Sequence, residues 1–436
     1  MAKIVLSTFG SLGDLHPKIA LGIELKRRGH EVVFNVMEFY REKIESLGFE
    51  FSPLRPDIDP DNRELARQLM DTKTGTEKII KEIIMPNLRP MFEDMMRAVK
   101  NADLLITGEI VYPAKSVVEK SGVKWISTSL APISFLSADD PPLPPVAEWY
   151  KYLRFMPTAF HRGVFNIMRG TIKNWYEPYK NFRRELSLDE DHDPIFDDKY
   201  SDVLHLAMFS KVLGVPQPDW HSPTLQTGFC FYDSWENSDK TSEELQKFLD
   251  AGEPPIVFTL GSAAVMDARD FFEESAKAAR ILNRRAVLLY GIFNEPPEIV
   301  ESRESGVESR EKSFSDIAMF DYAPYSEVFP RAACVVHQGG VGTTGQVLRA
   351  GVLALIMPFS HDQPDNAARC KRAGVAEIID RERYTAAAAA KKLENILNQA
   401  SYKSNAFEAS RIVKAERGTA TACDAIEKVL ENEKLR

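Results

Sequence analysis

The hydrophobic positions of this chain fall into short runs that alternate with longer amphipathic stretches. In the first half, apolar runs of strand length occupy 3–8, 31–36, 104–107 and 125–128. A helical pattern that begins at Pro17 joins the first two runs, which is the order of a βαβ unit with a right-handed crossover and parallel strands. The first half therefore predicts a parallel sheet covered by helices.

The second half of the chain repeats this alternation. Its strand-length apolar runs occupy 255–260, 286–289, 317–320, 332–336 and 353–357. A helix is predicted at 268–282, and helical signals dominate 384–434. The pattern as a whole predicts an α/β protein with two doubly wound, Rossmann-like domains.

The connection between the two halves is rich in proline, glycine, aspartate and serine, which is typical of a linker. We predict an N-terminal domain at 1–215, a linker at 216–240 and a C-terminal domain at 241–405. The last stretch, 406–436, is predicted to be helical and to pack back on the N-terminal domain.

Composition narrows the class of protein. The chain has 436 residues, of which 44% are hydrophobic and 27% charged, as in ordinary globular proteins. A net charge of −9 gives nucleic-acid binding no electrostatic support. No apolar run approaches the roughly 20 residues that span a bilayer, and the four cysteines are scattered, as in proteins of a reducing compartment. We therefore expect a cytoplasmic protein.

The segment after the apolar run at 332–336 carries the strongest chemical signal. Its candidate ligand-binding positions are His337, Gly339, Gly340, Gly342, Thr343, Thr344 and Gln346. Glycines let the backbone approach a ligand, and the unpaired amides and dipole of a helix N-terminus favour an anion. A strand, a glycine turn and a helix in this order predict a diphosphate site, to which the histidine and the threonines can donate hydrogen bonds.

The same segment also matches the dinucleotide pattern G-x-G-x-x-G, and Asp362 follows at about the place of a ribose-binding carboxylate. That pattern normally lies on the first strand of its domain, whereas only 91 residues remain here after Gly345. A histidine before the glycines is also foreign to it. An NAD-dependent oxidoreductase is therefore an alternative rather than the main hypothesis.

An aromatic segment, 137–185, interleaves tyrosine, tryptophan and phenylalanine with lysine and arginine. The plain interpretation is a set of helices with buried aromatic rings and solvated cations. The functional interpretations are an apolar acceptor pocket and a surface in peripheral contact with an anionic membrane.

A Gly-Ser-Leu-Gly-Asp loop after the first strand and a His-x-Gly-Gly-x-Gly-Thr-Thr loop late in the second half carry a resemblance to a known family. The chain resembles the inverting nucleotide-sugar-dependent glycosyltransferases of the GT-B fold, in the branch that contains sterol, lipid and antibiotic-aglycone glycosyltransferases. The resemblance is strongest over 4–36 and 321–374. It implies an N-terminal domain that binds the acceptor and a C-terminal domain that binds UDP-glucose as the donor.

The resemblance assigns donor contacts to particular residues. They are Ser262, Tyr322, Ala323, His337, Gly339, Gly340, Gly342, Thr343, Thr344, Gln346, Asp362 and Gln363. Tyr322 falls where an aromatic ring stacks on the base, and His337 falls in the diphosphate cradle. Asp362 and Gln363 match an acid–amide pair that binds the hydroxyls of the sugar. The alternative for Asp362 is a helix cap before Pro364.

One position departs from the family pattern. Gly345 stands where plant relatives have a glutamate that binds the ribose, and the amide of Gln346 is the other group that could reach it. The departure leaves both uridine and thymidine donors open.

In the first loop, Asp14 matches the general base of the family, since a carboxylate can accept the proton of an acceptor hydroxyl. The alternative for Asp14 is an N-cap on the helix at Pro17. His16 is the rival base. Glu109 could orient either group, although an exposed loop acid is the plainer interpretation.

The resemblance thus implies a metal-independent transfer of glucose, without a cofactor, to a hydroxyl of a sterol, polyketide, flavonoid, terpenoid or lipid, which gives a β-glycoside. Asp57-Ile58-Asp59 matches a manganese-binding DxD pattern but lies in a proline-rich loop without the strands that accompany it. A nucleotide-sugar epimerase of the same fold and a catalytically silent lipid-binding protein are the remaining alternatives.

Overall fold

Two parallel sheets form the framework of the computed structural model, which describes residues 1–58, 62–191, 193–233, 242–292, 294–298 and 316–431. The strands of the first sheet are β1 (Lys3–Ser7), β2 (Glu31–Val36), β3 (Glu50–Pro53), β4 (Leu104–Thr107), β5 (Lys124–Ser129), β6 (His205–Ala207) and β7 (Thr224–Gln226). The strands of the second sheet are β8 (Ile256–Thr259), β9 (Ala286–Leu289), β10 (Ile317–Phe320), β11 (Cys334–His337), β12 (Leu353–Ile356) and β13 (Ala376–Ile378).

Helices join most of these strands. They are α1 (Leu12–Arg27), α2 (Arg41–Ser46), α3 (Arg63–Leu69), α4 (Gly75–Lys78), α5 (Leu88–Ala98), α6 (Ala114–Ser121), α7 (Thr158–Thr171), α8 (Glu177–Glu185), α9 (Glu243–Asp250), α10 (Gly261–Ala264), α11 (Phe271–Ile281), α12 (Tyr325–Val328), α13 (Val341–Ala350), α14 (Gln363–Arg372), α15 (Ala386–Asn398), α16 (Ala400–Ala415) and α17 (Gly418–Glu431). A 3₁₀ segment, Pro145–Leu153, and a π-helical one, Ile79–Ile84, lie among them. Within the described residues, no helix is long and apolar enough to cross a bilayer.

The first sheet has the strand order β3-β2-β1-β4-β5-β6-β7, and every pair is parallel. Its central strands are covered on both faces, which is why β1 reads as a continuous apolar run with Ile4, Val5 and Leu6 fully buried. The strand order reverses between β1 and β4. In a doubly wound sheet, ligands bind at the carboxyl ends of the strands at such a switch point.

The second sheet has the order β10-β9-β8-β11-β12-β13, again all parallel. Its switch point lies between β8 and β11. The predicted fold class, with two doubly wound, Rossmann-like sheets, is therefore confirmed.

The chain divides into two compact units. The first comprises 1–60, 71–232 and 415–436, and the second comprises 61–70 and 233–414. These bounds differ from the prediction in three places. The first unit extends to 232 rather than 215, its last segment begins at 415 rather than 406, and residues 61–70 belong to the second unit.

The end of the chain illustrates the difference. Helix α17 packs on α1, where Arg28 Nη1 lies 2.7 Å from Asp424 Oδ1 and 2.6 Å from Glu427 Oε2. Helix α16 stays with the second unit for nearly all its length. The change of unit thus comes near residue 415 rather than at 406.

The strands that the sequence missed are short. β6, β7 and β13 have three residues each, which is too few to show a period, and β3 has four, none of them buried. β7 also lies inside the predicted linker, so the first part of 216–240 is an edge strand of the first sheet. Residues 234–240 of that linker, and Asp59 of the DxD match, lie outside the described residues.

Candidate active site

The glycine-rich segment links β11 to α13 at the switch point of the second sheet. Gly340 is the N-cap of α13, so that Gly342, Thr343 and Thr344 belong to the first turn of the helix rather than to a loop before it. Gly339 has a φ of +91°, and a Cβ there would lie 2.9 Å from Cγ2 of Ile356. Only glycine fits this position. The turn therefore brings the unpaired amides of a helix N-terminus to the carboxyl edge of the sheet.

His337 ends β11, and its side chain is fully buried. The Gly339 N–H donates to Nδ1 of His337 at 3.0 Å, which leaves the ring proton on Nε2. Burial lowers the pKa of His337 to about 3, so the ring is neutral near pH 7. Within the described residues, Nε2 has no hydrogen-bond partner. A buried N–H without a partner destabilises the protein, and this one is suited to donate to a ligand oxygen.

The two threonines of the first turn differ in their contacts. The hydroxyl of Thr343 is hydrogen-bonded to Tyr325, whose own hydroxyl lies 2.9 Å from Oγ1 of Thr259. Oγ1 of Thr344 is buried and has no hydrogen-bond partner in the described part of the chain. Thr344 therefore retains hydrogen-bonding capacity for a ligand.

Gln338 lies at the same site, although the sequence reasoning did not single it out. Its Nε2 is 2.3 Å from where a Cβ would lie at Gly261 and 2.8 Å from the same point at Gly340. The amide thus fills the space between the end of β8 and the start of α13. Ser262, the predicted second phosphate contact, follows Gly261 and is exposed. Gln338 could have been predicted as a site residue, because it is a polar residue between the end of β11 and the glycine pair.

The residues that the resemblance assigns to the nucleotide base follow β10. Tyr322 is 39% exposed and its N–H donates to Oδ1 of Asp321 at 2.7 Å, while Ala323 is buried. An exposed ring beside a buried backbone can stack on a planar ligand.

Asp362 occupies the N-cap position of α14, as the alternative supposed, but its carboxylate makes no capping hydrogen bond. Oδ2 of Asp362 instead accepts from Nδ2 of Asn366 at 2.7 Å, and the same amide donates to the carbonyl oxygen of Gly339 at 3.0 Å. Asn366 was not predicted as a site residue. Its spacing of one helical turn from Asp362 could have indicated that the two side chains meet. Gln363 uses its Oε1 to accept from the Phe359 N–H at 2.9 Å, which stabilises the loop before α14.

Gln346 makes a contact that the sequence did not predict. Its Nε2 donates to Oδ1 of Asp233 at 2.8 Å, and Arg349 Nη1 lies 2.6 Å from Oδ2 of the same carboxylate. One N–H of the amide thus has a partner within the protein, and the contact with a ribose stays a prediction. Gly345 is buried in α13.

Asp14 lies in the first turn of α1, at the switch point of the first sheet. Ser11 is the N-cap of this helix, so the predicted helix start at Pro17 is wrong, and so is the alternative in which Asp14 is the N-cap. Oδ2 of Asp14 accepts from the Ser11 N–H at 2.9 Å and lies 3.3 Å from Ser11 Oγ. Gly10 has a φ of +126°, and a Cβ there would lie 2.4 Å from the same oxygen. The backbone of Gly10 and Ser11 therefore packs closely against this carboxylate.

Burial raises the pKa of Asp14 to about 6. The negative charge of Glu109 also raises it, whereas the Ser11 N–H and the cation of Lys18 lower it. A carboxyl with this pKa is mostly ionised at pH 7 and more basic than an ordinary aspartate. It is therefore suited to accept a proton.

His16 is the weaker of the two predicted bases. Burial lowers the pKa of His16 to about 3, and the positive charge of Lys43 contributes. Its ring lies against Tyr232, with 5.2 Å between the centroids. The imidazole is neutral near pH 7 and much less basic than the Asp14 carboxylate.

Glu109 is not the exposed loop acid that the sequence suggested. It follows β4 at the switch point and is half-buried. Its Oε1 accepts from the Leu130 N–H at 3.2 Å and from Ser134 Oγ at 2.7 Å. The same carboxylate acts electrostatically on Asp14, so Glu109 belongs to the environment of the proposed base.

Two family models match the chain. Residues 4–108 match the glycosyltransferase family 28 N-terminal domain, and residues 298–427 match the erythromycin biosynthesis protein CIII-like C-terminal domain. The O-mycaminosyltylonolide 6-deoxyallosyltransferase of Streptomyces fradiae is 28% identical, over 98% of this chain and 97% of its own length.

A sterol 3-beta-glucosyltransferase of Neurospora crassa is 25% identical over 97% of this chain, which spans only 27% of the fungal protein. The crystal structure of a glycosyltransferase of Streptomyces sp. SF2575 with thymidine diphosphate superposes with a TM-score of 0.64 at 17% identity, over 98% of this chain and 100% of that one. The chain belongs to the GT-B glycosyltransferases.

The aromatic segment of this glycosyltransferase, 137–185, has both buried and exposed rings. It therefore agrees in part with the packing interpretation and in part with the functional ones. Tyr150 is buried, and its hydroxyl lies 2.5 Å from Nδ1 of His161. Trp149, Tyr152 and Phe155 are instead 59%, 70% and 81% exposed. The segment thus has a packed interior and an apolar outer surface.

The first turn of α13 offers a direct test of the anion site in the glycosyltransferase. A Cβ at Gly342 would contact nothing within 4 Å, so Gly342→Ala should fold normally and stabilise the helix by about 0.5–1 kcal/mol. If the diphosphate lies against this backbone, the added methyl group should weaken UDP binding about tenfold, measured by isothermal titration calorimetry. Gly163→Ala in α7, which also meets open space, is the control and should leave UDP affinity unchanged. Wild-type affinity in Gly342→Ala would exclude the turn as the diphosphate site.

Proposed function

We propose that the protein is a metal-independent, inverting glycosyltransferase that moves a hexose from a nucleotide-diphosphate sugar to a hydroxyl of an apolar small molecule. One observation carries the proposal: complementary chemistry lies at the switch points of both sheets. The second unit has a helix N-terminus with a buried donor, His337 Nε2–H, and the first unit has Asp14, whose pKa is raised to about 6. A glycosyl transfer needs both an anion site for the leaving group and a base.

In the proposed reaction, Asp14 accepts the proton of the acceptor hydroxyl while that oxygen attacks the anomeric carbon. The bond between the anomeric carbon and the diphosphate oxygen breaks, and the electron pair leaves with the diphosphate. The α13 N-terminus and His337 stabilise the charge that develops there. Attack in line with the leaving group inverts the anomeric centre, so an α-linked donor gives a β-glycoside.

The proposed acceptor is a hydroxylated apolar molecule: a sterol, polyketide, flavonoid, terpenoid or lipid. The names of the relatives, a tylonolide glycosyltransferase and a sterol glucosyltransferase, support this range. The exposed rings of Trp149, Tyr152 and Phe155 would suit such a ligand, and also peripheral contact with a membrane that holds it. The four cysteines are buried free thiols, which supports the cytoplasm as the proposed location.

The assay that tests the proposal combines UDP-glucose with a panel of hydroxylated aglycones, and detects glycosides by mass spectrometry. We expect a β-glycoside from at least one aglycone, and the same rate after treatment with EDTA. A product that forms only when a metal is added would contradict the metal-independent step. The absence of any glycoside, together with NADH fluorescence on binding, would favour the oxidoreductase alternative.

The proposed donor is UDP-glucose, since Asp362 and the amides of Gln363 and Asn366 offer acceptors and donors for several sugar hydroxyls. The main competitor is a thymidine-linked deoxy sugar. The Streptomyces relative is named for 6-deoxyallose transfer, and the SF2575 enzyme was crystallised with thymidine diphosphate.

A competition between UDP-glucose, TDP-glucose and a rhamnose donor tests this choice. We expect glucose to be preferred over rhamnose, because a deoxy sugar leaves polar groups of the site without partners. Asp362→Ala should reduce the preference, whereas Asp362→Asn should retain part of it. Discrimination between the two nucleotides should be weaker, since Gly345 has no side chain and Gln346 is bonded to Asp233. A clear preference for rhamnose that Asp362→Ala does not change would overturn the glucose assignment and leave the transferase proposal intact.

A further inference from the structure

Lys18 is a fully buried lysine on α1, one helical turn after Asp14. Residues with this spacing lie on the same face of a helix. Nζ of Lys18 donates to Oγ1 of Thr128 at 2.5 Å, and that hydroxyl donates to the carbonyl oxygen of Thr107 at 2.9 Å. The ammonium group is therefore held at the carboxyl ends of β4 and β5, with a hydroxyl as its hydrogen-bond partner.

Burying an ammonium group in this way destabilises the fold. Burial lowers the pKa of Lys18 to about 8, against the opposing influence of Cys230, Asp14 and Glu109. Because the pKa in the folded protein is below the ordinary value of 10.5, the penalty is complete below about pH 8 and fades as the pH rises towards 10.5. At pH 7 the lysine is mostly protonated. A charge that is kept at the expense of stability is a mark of function.

The charged groups around Asp14 come from several elements. Glu109, after β4, raises the pKa of Asp14, and Lys18, on α1, lowers it. Tyr40 approaches from the loop after β2, where its hydroxyl donates to the Gly10 carbonyl oxygen at 3.0 Å. Lys18 is thus the cation that opposes both burial and Glu109.

We propose that Lys18 is a positioning residue: a buried counter-charge that keeps Asp14 ionised at neutral pH, so that the carboxylate can accept the proton of the acceptor. The inference rests on the proposed function, because Lys18 acts through Asp14. With no exposed surface, the lysine side chain has no route to direct contact with a substrate.

The decisive measurement is the pKa of the Asp14 carboxyl, read from ¹³C NMR of aspartate-labelled protein and assigned with Asp14→Asn. We expect this pKa to rise by about half a unit or more in Lys18→Met, because a nearby positive charge is lost. Lys18→Gln, which can still bond to Thr128, is a second neutral variant in case Lys18→Met folds poorly. Lys18→Arg keeps the charge and should stay near the wild type.

Lys199 provides a matched control. It is a lysine of the same unit whose Nζ donates to the Ser134 carbonyl oxygen at 2.6 Å, and whose pKa is lowered by burial. The acids that face it are Glu109, Asp193 and Asp197. Lys199→Met should therefore leave the pKa of Asp14 unchanged, even though it removes the ammonium group of another lysine of the same unit.

The pH dependence of kcat/KM should change together with the pKa of Asp14. In Lys18→Met, the acidic limb of kcat/KM should move up by the same amount, so that activity at pH 6 falls at least about twofold and recovers at pH 8.5. The melting temperature at pH 7 should rise, which loss of a merely structural lysine would not produce. An unchanged Asp14 pKa in both neutral variants would overturn the inference. A raised pKa with an unmoved acidic limb would instead contradict the proposed role of Asp14 as the base, while the counter-charge effect of Lys18 would stand.

Discussion

Asp14→Asn is expected to lower kcat for glycosyl transfer roughly 10²–10⁴-fold, the usual contribution of a positioned general base. Asparagine has the size of aspartate but cannot accept the proton of the acceptor hydroxyl. UDP affinity, measured by calorimetry, should be nearly unchanged, because the proposed nucleotide contacts lie in the second unit. The melting temperature should change little, since the oxygen of the substituted amide can still accept from the Ser11 N–H.

The pH dependence of the wild type is part of the same prediction. Because burial raises the pKa of Asp14 to about 6, the base is ionised above that pH and protonated below it. The value of kcat/KM should therefore fall as the pH decreases through 6, instead of near the ordinary aspartate value of 3.8. In Asp14→Asn this limb should disappear from the residual activity.

His16→Gln is the matched control, since His16 lies on the same turn of α1. A pKa of about 3 makes its imidazole a poor base, so this variant should keep most of the activity. Near-normal turnover in Asp14→Asn, combined with collapse in His16→Gln, would transfer the role of base to the histidine.

The framework could be predicted from the sequence because parallel strands buried on both faces leave continuous apolar runs. β1 and β11 are such strands, and the glycine turns after them mark the edge where ligands bind. β6 and β7 were missed because three residues show no period. The start of α1 was misplaced because Pro17 looked like a first helical residue, although Ser11 and Asp14 already had the spacing of a capping box.

The types of the site residues were more predictable than their environments. Asp14 and His337 were found from motifs, since each has a fixed place beside a glycine turn at the end of a strand. Their chemistry depends on contacts that are distant along the chain. Lys18 meets Thr128 across 110 positions, and Gln346 meets Asp233 across 113. No local pattern encodes such pairs, so the low basicity of His16 and the bond between Gln346 and Asp233 could be seen only in the structure.

His337→Ala is expected to weaken UDP binding by about 1.5–3 kcal/mol, which corresponds to a ten- to hundredfold rise in Kd. The physical reason is the loss of Nε2–H, a donor that is buried and has no partner among the described residues. Transfer should also slow, because the charge on the leaving diphosphate is less well stabilised. Calorimetric titration with UDP gives the binding term, and single-turnover kinetics give the chemical step.

Two conservative variants separate the donor from the structural role of the ring. Asparagine can accept from the Gly339 N–H, as Nδ1 does at 3.0 Å, but it cannot reach as far as Nε2. Glutamine can place an amide N–H near the Nε2 position. If His337 serves the ligand, His337→Asn should bind UDP as weakly as His337→Ala, and His337→Gln should recover part of the affinity.

The pH dependence of the contribution of His337 to UDP binding distinguishes a neutral imidazole donor from a charged imidazolium. With a pKa lowered to about 3 by burial, His337 is neutral at pH 7 and at pH 8.5. The difference in binding free energy between the wild type and His337→Asn should then be the same at both values. A difference that shrinks as the pH rises would indicate a charged histidine, and an affinity of wild-type strength in His337→Asn would place the diphosphate elsewhere. Equal losses at both pH values would support the neutral Nε2–H as the donor, because its strength does not depend on titration of the ring.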